Sequence, residues 1–345
     1  MKSLNRQTGL LAIVGTLAIT LSFSETAFSV DDGARSYWKG RDGTNVVSFQ
    51  YLNLDMQAFG SQQFDPTHFI YPNSDASANL MIASYARHMT LFNRPATLSG
   101  NIAGGSADVD VDTSLIPPDF LPPDVIPGAS LHQSTSGYAD PSVQLDMNLF
   151  GTPPLKSTVD LANYEPNFTL DAAVMLAFPL GQYDSDKVVN MGLNRWYGRL
   201  ALPMKYHFGA FSSGYMRSFE LTPSMWLFGE NDDFMGQTLK NDAMWQIESH
   251  LTWDFTRTFY GSLDLLYRSG FQSEIDGIDV GDKLNIGDLG FTLNYKATDN
   301  LSLRASYSSN VFGDSDLNTS VIRLQLVYGW HQLTENQKKL QGGHN

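Results

Sequence analysis

The stretch Ser142-Val143-Gln144-Leu145-Asp146-Met147-Asn148-Leu149 decides the fold class of this chain. Polar and apolar residues alternate along it, and successive side chains of a β-strand point to opposite faces. The apolar side chains therefore fall on one face and the polar side chains on the other. Residues 245–255 and 322–330 repeat this alternation, whereas the 3.6-residue period of an amphipathic helix is nearly absent from the chain. The sequence predicts an all-β protein.

The same alternation recurs along the whole chain, in segments of about ten residues that end at Gly, Pro, Asn or Asp. It predicts twelve strands, near residues 46–56, 79–92, 96–105, 138–150, 168–179, 196–208, 215–228, 243–255, 258–268, 286–296, 301–311 and 319–330. Long and short connections alternate along the chain. Most odd-numbered connections are long, such as 106–137, and most even-numbered ones are short, such as 93–95. One connection, 151–167, is longer than this rule predicts.

Long loops at one end, tight turns at the other and an even number of strands are typical of a bacterial outer-membrane barrel. We therefore predict an outer-membrane, transmembrane antiparallel up-and-down β-barrel of about 12 strands, within a range of about 10 to 14. A soluble β-sandwich would alternate in the same way, but aromatic residues concentrate near the strand ends, as in the girdles at membrane interfaces. Those near the short turns are Tyr206, Phe208, Trp253, Phe255, Phe259, Tyr295, Tyr328 and Trp330, and those near the long loops are Trp196, Phe228, Tyr267 and Tyr307.

The composition excludes several classes of protein. The 36 acidic residues outnumber the 22 basic ones, which gives a formal net charge of -14. The chain therefore lacks the basic surface that a nucleic-acid-binding protein needs. It contains no cysteine, which excludes disulfide bonds and thiolate metal sites.

The N-terminus has the layout of a secretory signal peptide. Lys2 and Arg6 precede the mostly apolar run 9–23, and the small residues Ala27 and Ser29 precede a predicted cleavage site. No later apolar run is long enough for a transmembrane helix, which needs about 20 residues. We therefore expect a location in the outer membrane of a Gram-negative bacterium. The expected parts are a cleaved signal peptide (1–29), a periplasmic N-terminal segment (30–45), the transmembrane barrel (46–330) and a polar C-terminal tail (331–345).

Three motifs of this chain resemble those of a known family. They are Leu91-Phe92-Asn93-Arg94-Pro95-Ala96 at the first short turn, Gly137-Tyr138-Ala139-Asp140-Pro141 before the strand quoted above, and Phe178-Pro179-Leu180-Gly181-Gln182-Tyr183-Asp184 followed by Asn194-Arg195-Trp196. Their order and spacing resemble the outer-membrane proteins of the MetA-pathway of phenol degradation family, over roughly residues 45–330. The resemblance implies a barrel, often encoded beside aromatic-compound degradation, that admits hydrophobic substrates and has no established catalytic residues.

The chain departs from this family in a Pro-rich insertion within residues 106–137 and in the polar tail after Trp330. Proline fixes the backbone and lacks the N–H that a central strand needs, so residues 116–128 are not expected to form one. We interpret the insertion as a loop that folds into or over the barrel mouth and lines an apolar entry site. Its candidate residues are Leu115, Ile116, Phe120, Leu121, Val125 and Ile126. The alternatives are a surface loop packed on neighbouring loops and an oligomer contact.

The polar faces of the predicted strands supply candidate lumen-lining residues. These are Asp146, Asp171, Arg199, Lys205, His207, Glu220, Glu248, His250, Asp264, Arg268, Arg304 and Arg323. With Asp254 and Lys296 included, Lys and Arg side chains balance carboxylates in this set. A strongly ion-selective pore presents one sign of charge at its constriction, so the balance favours cross-strand ion pairs that narrow the interior, and hence a restricted channel. The alternative is a solvated or internally paired face without a role in transport.

No catalytic residue, cofactor or metal site is predicted, and we expect no enzymatic activity. A hydrolase needs a base within reach of its nucleophile, but the chain has no Gly-x-Ser-x-Gly motif. Asp108, Asp110 and Asp112 alternate with valine, which favours a strand extension over a Ca²⁺ loop. A separate hypothesis is that loop carboxylates bind divalent cations shared with lipopolysaccharide. These residues are Glu230, Asp232, Asp233, Asp314 and Asp316.

Together these patterns predict an outer-membrane channel for passive uptake of small hydrophobic or aromatic compounds. The alternative is a non-transporting barrel with a structural or surface-interaction role. The expected partners are outer-membrane lipid and lipopolysaccharide, small hydrophobic or aromatic solutes, and the barrel-assembly machinery, but not nucleic acid.

Overall fold

The computed structural model describes residues 32–58, 74–112, 128, 130–187, 189–208, 215–279, 283–313 and 317–331. The predicted signal peptide and residues 332–345 of the predicted tail therefore lie outside the described residues. Within this part of the chain, one antiparallel sheet closes on itself, because its first strand pairs with its last from Thr44↔His331 to Ala58↔Leu317. The predicted transmembrane β-barrel is thus confirmed.

The barrel has twelve strands, two of which are broken into shorter segments. The segments of the barrel sheet are β1 (Thr44–Ala58), β2 (Ser74–Leu91), β3 (Arg94–Asp112), β4 (Ser130–Tyr138), β5 (Ser142–Phe150), β6 (Phe168–Ala177), β7 (Tyr197–Ala201), β8 (Met204–Phe208), β9 (Arg217–Phe228), β12 (Met244–Asp254), β13 (Phe259–Gly270), β16 (Leu284–Lys296), β17 (Leu301–Gly313) and β18 (Leu317–His331). Segments β4 and β5 form one barrel strand, since both pair with β3, and β7 and β8 form another, since both pair with β6 and β9. All twelve predicted strands correspond to barrel strands.

Prolines explain both breaks. The first falls at residues 139–141, which include Pro141, and the second at Leu202 and Pro203. Proline has no N–H to donate to the ladder. Around the second break the flanking hydrogen bonds persist, because the N–H of Asp171 donates to the carbonyl of Pro203 at 2.8 Å. The hydrogen bonding of the barrel wall therefore continues past the second break.

The short turns mark one end of the barrel, which we call the periplasmic end by analogy with other outer-membrane barrels. The turn between β2 and β3 has two central residues with positive φ, Phe92 at 50° and Asn93 at 59°. This is the backbone of a type I′ turn, which matches the twist of the strands that it joins. The first family-like motif, residues 91–96, therefore forms the turn of a β-hairpin.

The connections contain further elements that the alternation did not predict. Helix α1 (Thr158–Asn163) lies in the long periplasmic connection 151–167 and begins with a capping box formed by Ser157 and Asp160. At the opposite, outer end, β10 (Asn231–Phe234), β11 (Gln237–Asn241), β14 (Ser273–Ile275) and β15 (Ile278–Asp279) form a separate four-stranded sheet. No helix among the described residues has the length and apolarity needed to cross a membrane.

The outward face of the barrel carries an apolar band. Its exposed side chains include Phe49, Met81, Leu98, Ile102, Leu145, Val174, Leu200, Phe219, Ile247, Leu251, Leu263, Phe291, Leu303 and Leu324. A soluble protein would bury such a band, whereas lipid solvates it. Most of the predicted girdle aromatics also face outward, but Phe228 packs inside the outer mouth against Tyr197 and Phe271, with ring centroids 6.4 and 5.0 Å away. The girdle assignment of Phe228 was therefore wrong.

Candidate functional site

Residues 32–43, here called the N-terminal segment, reach from the periplasmic end of the barrel into its lumen. Their side chains and backbone contact inward-facing residues of β5 to β9 and of β12. The sequence analysis assigned residues 30–45 to the periplasm, while in the structure Thr44 already begins β1. The lumen and the segment within it form the candidate functional site.

Arg35 holds the segment near the periplasmic end of the lumen. Its guanidinium pairs with Asp254 at 2.7 Å and donates to Thr252 at 3.1 and 3.2 Å. The same group lies over the rings of Trp38 and Tyr260, at 4.5 and 3.9 Å from their centroids. A planar guanidinium can stack and form hydrogen bonds at once, which an ammonium group does less well. Arg35 therefore fixes both the segment and the wall around it.

Arg199 joins the deepest part of the segment to the barrel. Its Nη1 donates to Oδ2 of Asp32 at 2.7 Å, and its Nη2 donates to Oε1 of Glu248 at 2.6 Å. The backbone N–H of Asp32 also donates to Oε2 of Glu248 at 2.9 Å. Arg199 and Glu248 are buried, and buried charges need such partners because removal from water costs several kcal/mol per ion.

A second set of charges, on β5, β6 and β8, also holds the segment inside the lumen. Lys39 contacts Asp146 and lies 3.6 Å from the carboxylate of Asp171. Lys205 contacts the same carboxylate of Asp171, and its Nζ also donates to the carbonyl of Tyr37 at 2.6 Å. Two ammonium groups therefore share two carboxylates, one ammonium from the segment and one from the barrel.

The structure places all twelve candidate lumen residues on the inward face of their strands. Ion pairs between neighbouring or facing strands, as expected from the charge balance, include Arg199 with Glu248 and Lys205 with Asp171. Lys296 is the exception among the charges counted with them, because its side chain is 42% exposed at the periplasmic turn and pairs with Asp299 at 3.1 Å. Its assignment to the interior was wrong, since it lies at the last position of β16.

The sequence analysis missed four charged residues of this site. Asp288 faces inward on β16 and accepts a hydrogen bond from Arg268 at 2.6 Å. Its position could have been found, because the alternation of β16 places it on the same face as Thr292. Asp32, Arg35 and Lys39 carried no such signal, since they precede the first strand and reach the lumen only through the fold.

The lumen has two unlike walls. Inward-facing residues in the middle of β6, β7, β9, β12, β13 and β16 are buried, and we call this side the filled wall. On the open wall, formed by β17, β18, β1, β2 and β3, most inward-facing residues at the same height keep partial exposure. These partly exposed residues include Gln50, Ile82, Ser84, Ser99, Asn101, Arg304, Ser306, Ser308 and Gln325. Among the described residues, most polar contacts of the N-terminal segment in the middle of the lumen are with the filled wall, while Gly33 and Gly40 lie next to Arg304, Arg323 and His88 of the open wall.

The interior becomes apolar toward the outer end. On the filled wall, Trp226 and Met244 belong to a buried cluster with Met175, Ala177, Leu193, Tyr197 and Phe271. On the open wall the upper inward-facing residues are also apolar and buried: Leu52, Leu54, Met56, Ala76, Ala78, Leu80, Ala107 and Val109. An apolar zone therefore lies above the charged middle of the lumen.

Two of the family-like motifs interlock at this outer end. The carboxylate of Asp140 accepts hydrogen bonds from the backbone N–H groups of Gly181 at 2.7 Å and Leu193 at 2.8 Å. A Cβ on Gly181 would lie 2.6 Å from Cα of Gly192, so no larger residue fits there without a shift. The motifs therefore hold the 178–196 connection against the break between β4 and β5.

The site offers binding surface and charge rather than a reactive constellation. Across the described ranges, no three His, Asp or Glu side chains come together in a way that could hold a metal ion. Among the loop carboxylates of the cation hypothesis, Glu230 pairs with Lys240 at 2.9 Å, and Asp314 and Asp316 lie outside the described residues. The mouth-loop candidates Leu115, Ile116, Phe120, Leu121, Val125 and Ile126 also lie outside them. The predicted extension of the Asp108 strand is confirmed, because β3 runs to Asp112.

Comparison with solved structures supports the fold. The structure is similar to an outer membrane channel from Pseudomonas putida F1, with a TM-score of 0.66, 16% identity and coverage of 87% of this chain and 100% of the other. It is also similar to the transport unit of the autotransporter AIDA-I from Escherichia coli, with a TM-score of 0.50, 11% identity and coverage of 92% and 98%. At such identities the likeness concerns the fold alone.

Sequence comparison supplies the family. No curated protein matches the chain. The family model described as Putative MetA-pathway of phenol degradation matches residues 59–315, which is most of the barrel and includes all three motifs that carried the resemblance. The chain belongs to the Putative MetA-pathway of phenol degradation family.

Proposed function

We propose that this protein is an outer-membrane channel through which small solutes diffuse passively along the open wall of the lumen. The observation that carries this proposal is the difference between the two walls. Inward-facing Ser84, Ser99, Ser306 and Ser308 are partly exposed, while inward-facing residues at the same height on the filled wall are buried. Water that reaches these hydroxyl groups occupies a lateral passage beside the N-terminal segment.

The passage is narrow, because the segment occupies the rest of the lumen. A barrel of twelve strands is wider than the eight-stranded barrels whose interior is filled by side chains, and narrower than the open porins. With part of this width filled, the channel restricts passage to small molecules. This agrees with the restricted channel that the charge balance of the sequence predicts.

The proposed solutes are small hydrophobic or aromatic compounds. The inward-facing residues at the outer end, among them Leu52, Leu54 and Trp226, are apolar and buried. A solute with an apolar body is therefore favoured over a polar one if it displaces the groups that cover them. Membership of a family described by phenol degradation supports the same class. The solved Pseudomonas putida protein, described as an outer membrane channel, supports the channel role.

The proposal includes the route to the membrane. Residues 1–29 are proposed to be removed as a signal peptide, after which the assembly machinery inserts the barrel beside outer-membrane lipid and lipopolysaccharide. Sequencing the N-terminus of protein from isolated outer membranes tests the first step. A mature chain that begins at Val30 is expected, and a chain that retains residues 1–29 would contradict it.

The experiment that tests the channel is planar-bilayer conductance of the refolded mature chain, residues 30–345. Stable ohmic steps are expected, small compared with those of an open porin. A heat-modifiable band on gels shows that the same sample is folded. Silence from folded protein would contradict the proposal and favour the alternative, a structural or surface-interaction barrel with an occluded lumen.

A further inference from the structure

The apolar band on the outward face of the barrel contains a groove of about 530 Å³, within the range of about 300–1,000 Å³ that is typical of ligand pockets. The groove includes Ala305, a small residue that lies opposite Leu324 on β18 and Leu293 on β16. Larger side chains, all exposed, border it: Phe49, Tyr51, Met81, Leu293, Leu303 and Leu324. The groove is therefore a depression in the surface that faces lipid.

The groove is inclined to the membrane, because the strands are staggered. A row of residues in register across β13, β16, β17, β18 and β1 runs along it: Phe259, Tyr295, Leu303, Leu326 and Phe49. Phe259 is the first residue of β13, whereas Phe49 is the sixth residue of β1, and both strands begin at the periplasmic end.

This stagger places the two ends of the groove at different depths. Five residues span about 17 Å along a strand, or roughly 12 Å of depth in the bilayer when the strand is tilted by about 45°. One leaflet contributes about 15 Å of hydrocarbon, which is half of the usual thickness. The groove therefore runs from the periplasmic rim into the hydrocarbon of the periplasmic leaflet.

A positive charge lies at the rim end of the groove. Arg257 is in the turn between β12 and β13, two residues before Phe259, and it is exposed. It forms no ion pair with a carboxylate in the described part of the chain. The neighbouring turn is joined to this one, because the N–H of Lys296 donates to the carbonyl of Thr258 at 2.7 Å. Lys296 itself pairs with Asp299 at 3.1 Å, so the net charge of the two turns is that of Arg257.

We propose that the groove binds one anionic phospholipid of the periplasmic leaflet, with the phosphate at Arg257 and an acyl chain over Ala305. A guanidinium group binds phosphate through two parallel hydrogen bonds, and aromatic side chains such as Phe259 and Tyr295 are favoured at the headgroup level. The site concerns the outward face of the barrel, so it does not depend on the proposed channel function.

The charge at the rim also favours a lipid over a second copy of this chain. In a twofold-symmetric dimer the same surface patch is used by both copies. A dimer formed through the groove would therefore bring a second Arg257 to the same rim, and the two positive charges would repel each other. An anionic headgroup instead neutralises the charge that is already there.

The test of the headgroup is native mass spectrometry of the refolded mature chain, residues 30–345, titrated in detergent with phosphatidylglycerol or with phosphatidylcholine of the same acyl chains. We expect one phosphatidylglycerol to bind more tightly than phosphatidylcholine. Arg257→Gln should weaken its binding about fivefold, which is the contribution of one basic side chain near an anionic lipid surface, and Arg257→Lys should retain most of it. Lys156→Gln is the matched control, because it removes an exposed cation in the connection 151–167.

The test of the groove is to fill it. Ala305→Leu adds an apolar side chain to the lipid-facing surface, where it should leave folding intact and remove the preference for one phosphatidylglycerol. Ala172→Leu is the matched control. Ala172 also faces outward, since it alternates with the buried Asp171 and Ala173, but it lies on β6 on the opposite side of the barrel. A heat-modifiable band on gels shows that each variant is folded.

Three outcomes would overturn the inference. The first is equal binding of phosphatidylglycerol and phosphatidylcholine by the wild-type protein, and the second is unchanged phosphatidylglycerol binding in Arg257→Gln or in Ala305→Leu. The third is a wild-type dimer that Ala305→Leu converts to a monomer, because the groove would then be covered by a second copy of the chain. Loss of binding in Arg257→Gln and Ala305→Leu, with both control variants unchanged, would support it.

Discussion

The filled and open walls of the lumen are built from strands of the same kind and differ in what lies against them. Ser218 on β9 and Ser306 on β17 both face inward, yet Ser218 is 0% exposed and hydrogen-bonds to Glu220 and Thr252, while Ser306 is partly exposed. The first wall behaves as a protein core and the second as the side of a passage. The difference shows that the burial of an inward-facing residue depends on what lies against it in the lumen as much as on the strand that carries it.

The largest expected effect comes from removing the charge that ties the segment to the filled wall. Arg199→Met leaves the buried carboxylate of Glu248 without its cation and should destabilise the folded barrel by about 3–5 kcal/mol. Urea denaturation of the refolded protein, followed by tryptophan fluorescence, measures it. The double variant Arg199→Met with Glu248→Gln removes both charges and should recover part of the loss. Equal destabilisation of the single and double variants would mean that this pair does not carry the attachment.

Next in size is a steric change that pushes the segment away from the barrel. A Cβ on Gly40 would lie 2.5 Å from Cδ2 of His88, so Gly40→Ala should displace the segment at a cost of about 1–3 kcal/mol. Single-channel conductance should rise, because the displaced segment leaves more of the lumen free. His88→Ala combined with Gly40→Ala should restore the wild-type conductance. Gly100→Ala, whose Cβ would lie 3.7 Å from its nearest neighbour, is the control and should change nothing.

The same substitution should have different effects on the two walls. Ser218→Leu overpacks the filled wall and should destabilise the protein by about 1–3 kcal/mol. Ser306→Leu places the same side chain in the proposed passage, and it should leave stability nearly unchanged while it lowers conductance. Urea denaturation and bilayer recordings on both variants measure this. If both variants lose stability equally, the walls do not differ as described.

The smallest effect concerns helix α1, which contacts the periplasmic end of the segment through a hydrogen bond from Arg41 to Oγ1 of Thr158 at 2.6 Å. Ser157 and Asp160 cap the first turn of this helix. The side chain and backbone N–H of Ser157 hold the pKa of Asp160 below its ordinary value of 3.8. A carboxylate of lowered pKa stabilises the fold fully above its unfolded pKa and loses this effect as the pH falls through the folded pKa. Amide-exchange protection of residues 158–163, corrected for intrinsic rates, should therefore decline only below about pH 4. In Asp160→Asn, protection should start lower and stay flat with pH, and a similar decline in that variant would contradict the assignment.

The aromatic strand ends and the long and short connections favoured a membrane barrel over a soluble sandwich. Much of the rest of the fold could be predicted from the sequence, because alternation assigns the side chains of a strand to two opposite faces. In 142–149 it fixes which side chains face lipid and which face the lumen, and it also placed Asp146 and Glu248 correctly on the inward face. The alternation gives no information about the connections between strands. Helix α1 and the outer four-stranded sheet depend on how connections pack, which a two-residue period does not record. The inward position of Phe228 does follow the alternation of β9, which places it on the same face as Glu220 and Trp226.

The candidate site was predicted in part for the same reason. The predicted inward faces carry as many Lys and Arg side chains as carboxylates, which led us to expect ion pairs in the lumen. The structure confirms such pairs for Arg199 with Glu248 and for Lys205 with Asp171. The sequence could not show that Asp32, Arg35 and Lys39 join these charges, because they precede the first strand and reach the lumen only through the fold.

The sequence by itself determined a closed antiparallel barrel, its inward and outward faces and its family, because these follow from local alternation and from short motifs. Only the tertiary structure decided that the residues before β1 turn back into the lumen and cover one wall. Asp32, Arg35 and Lys39 are separated by more than a hundred positions from partners such as Glu248, Asp254 and Asp171. Contacts over such distances in the chain form because burial of a charge requires a partner, and the closed barrel alone brings those partners together.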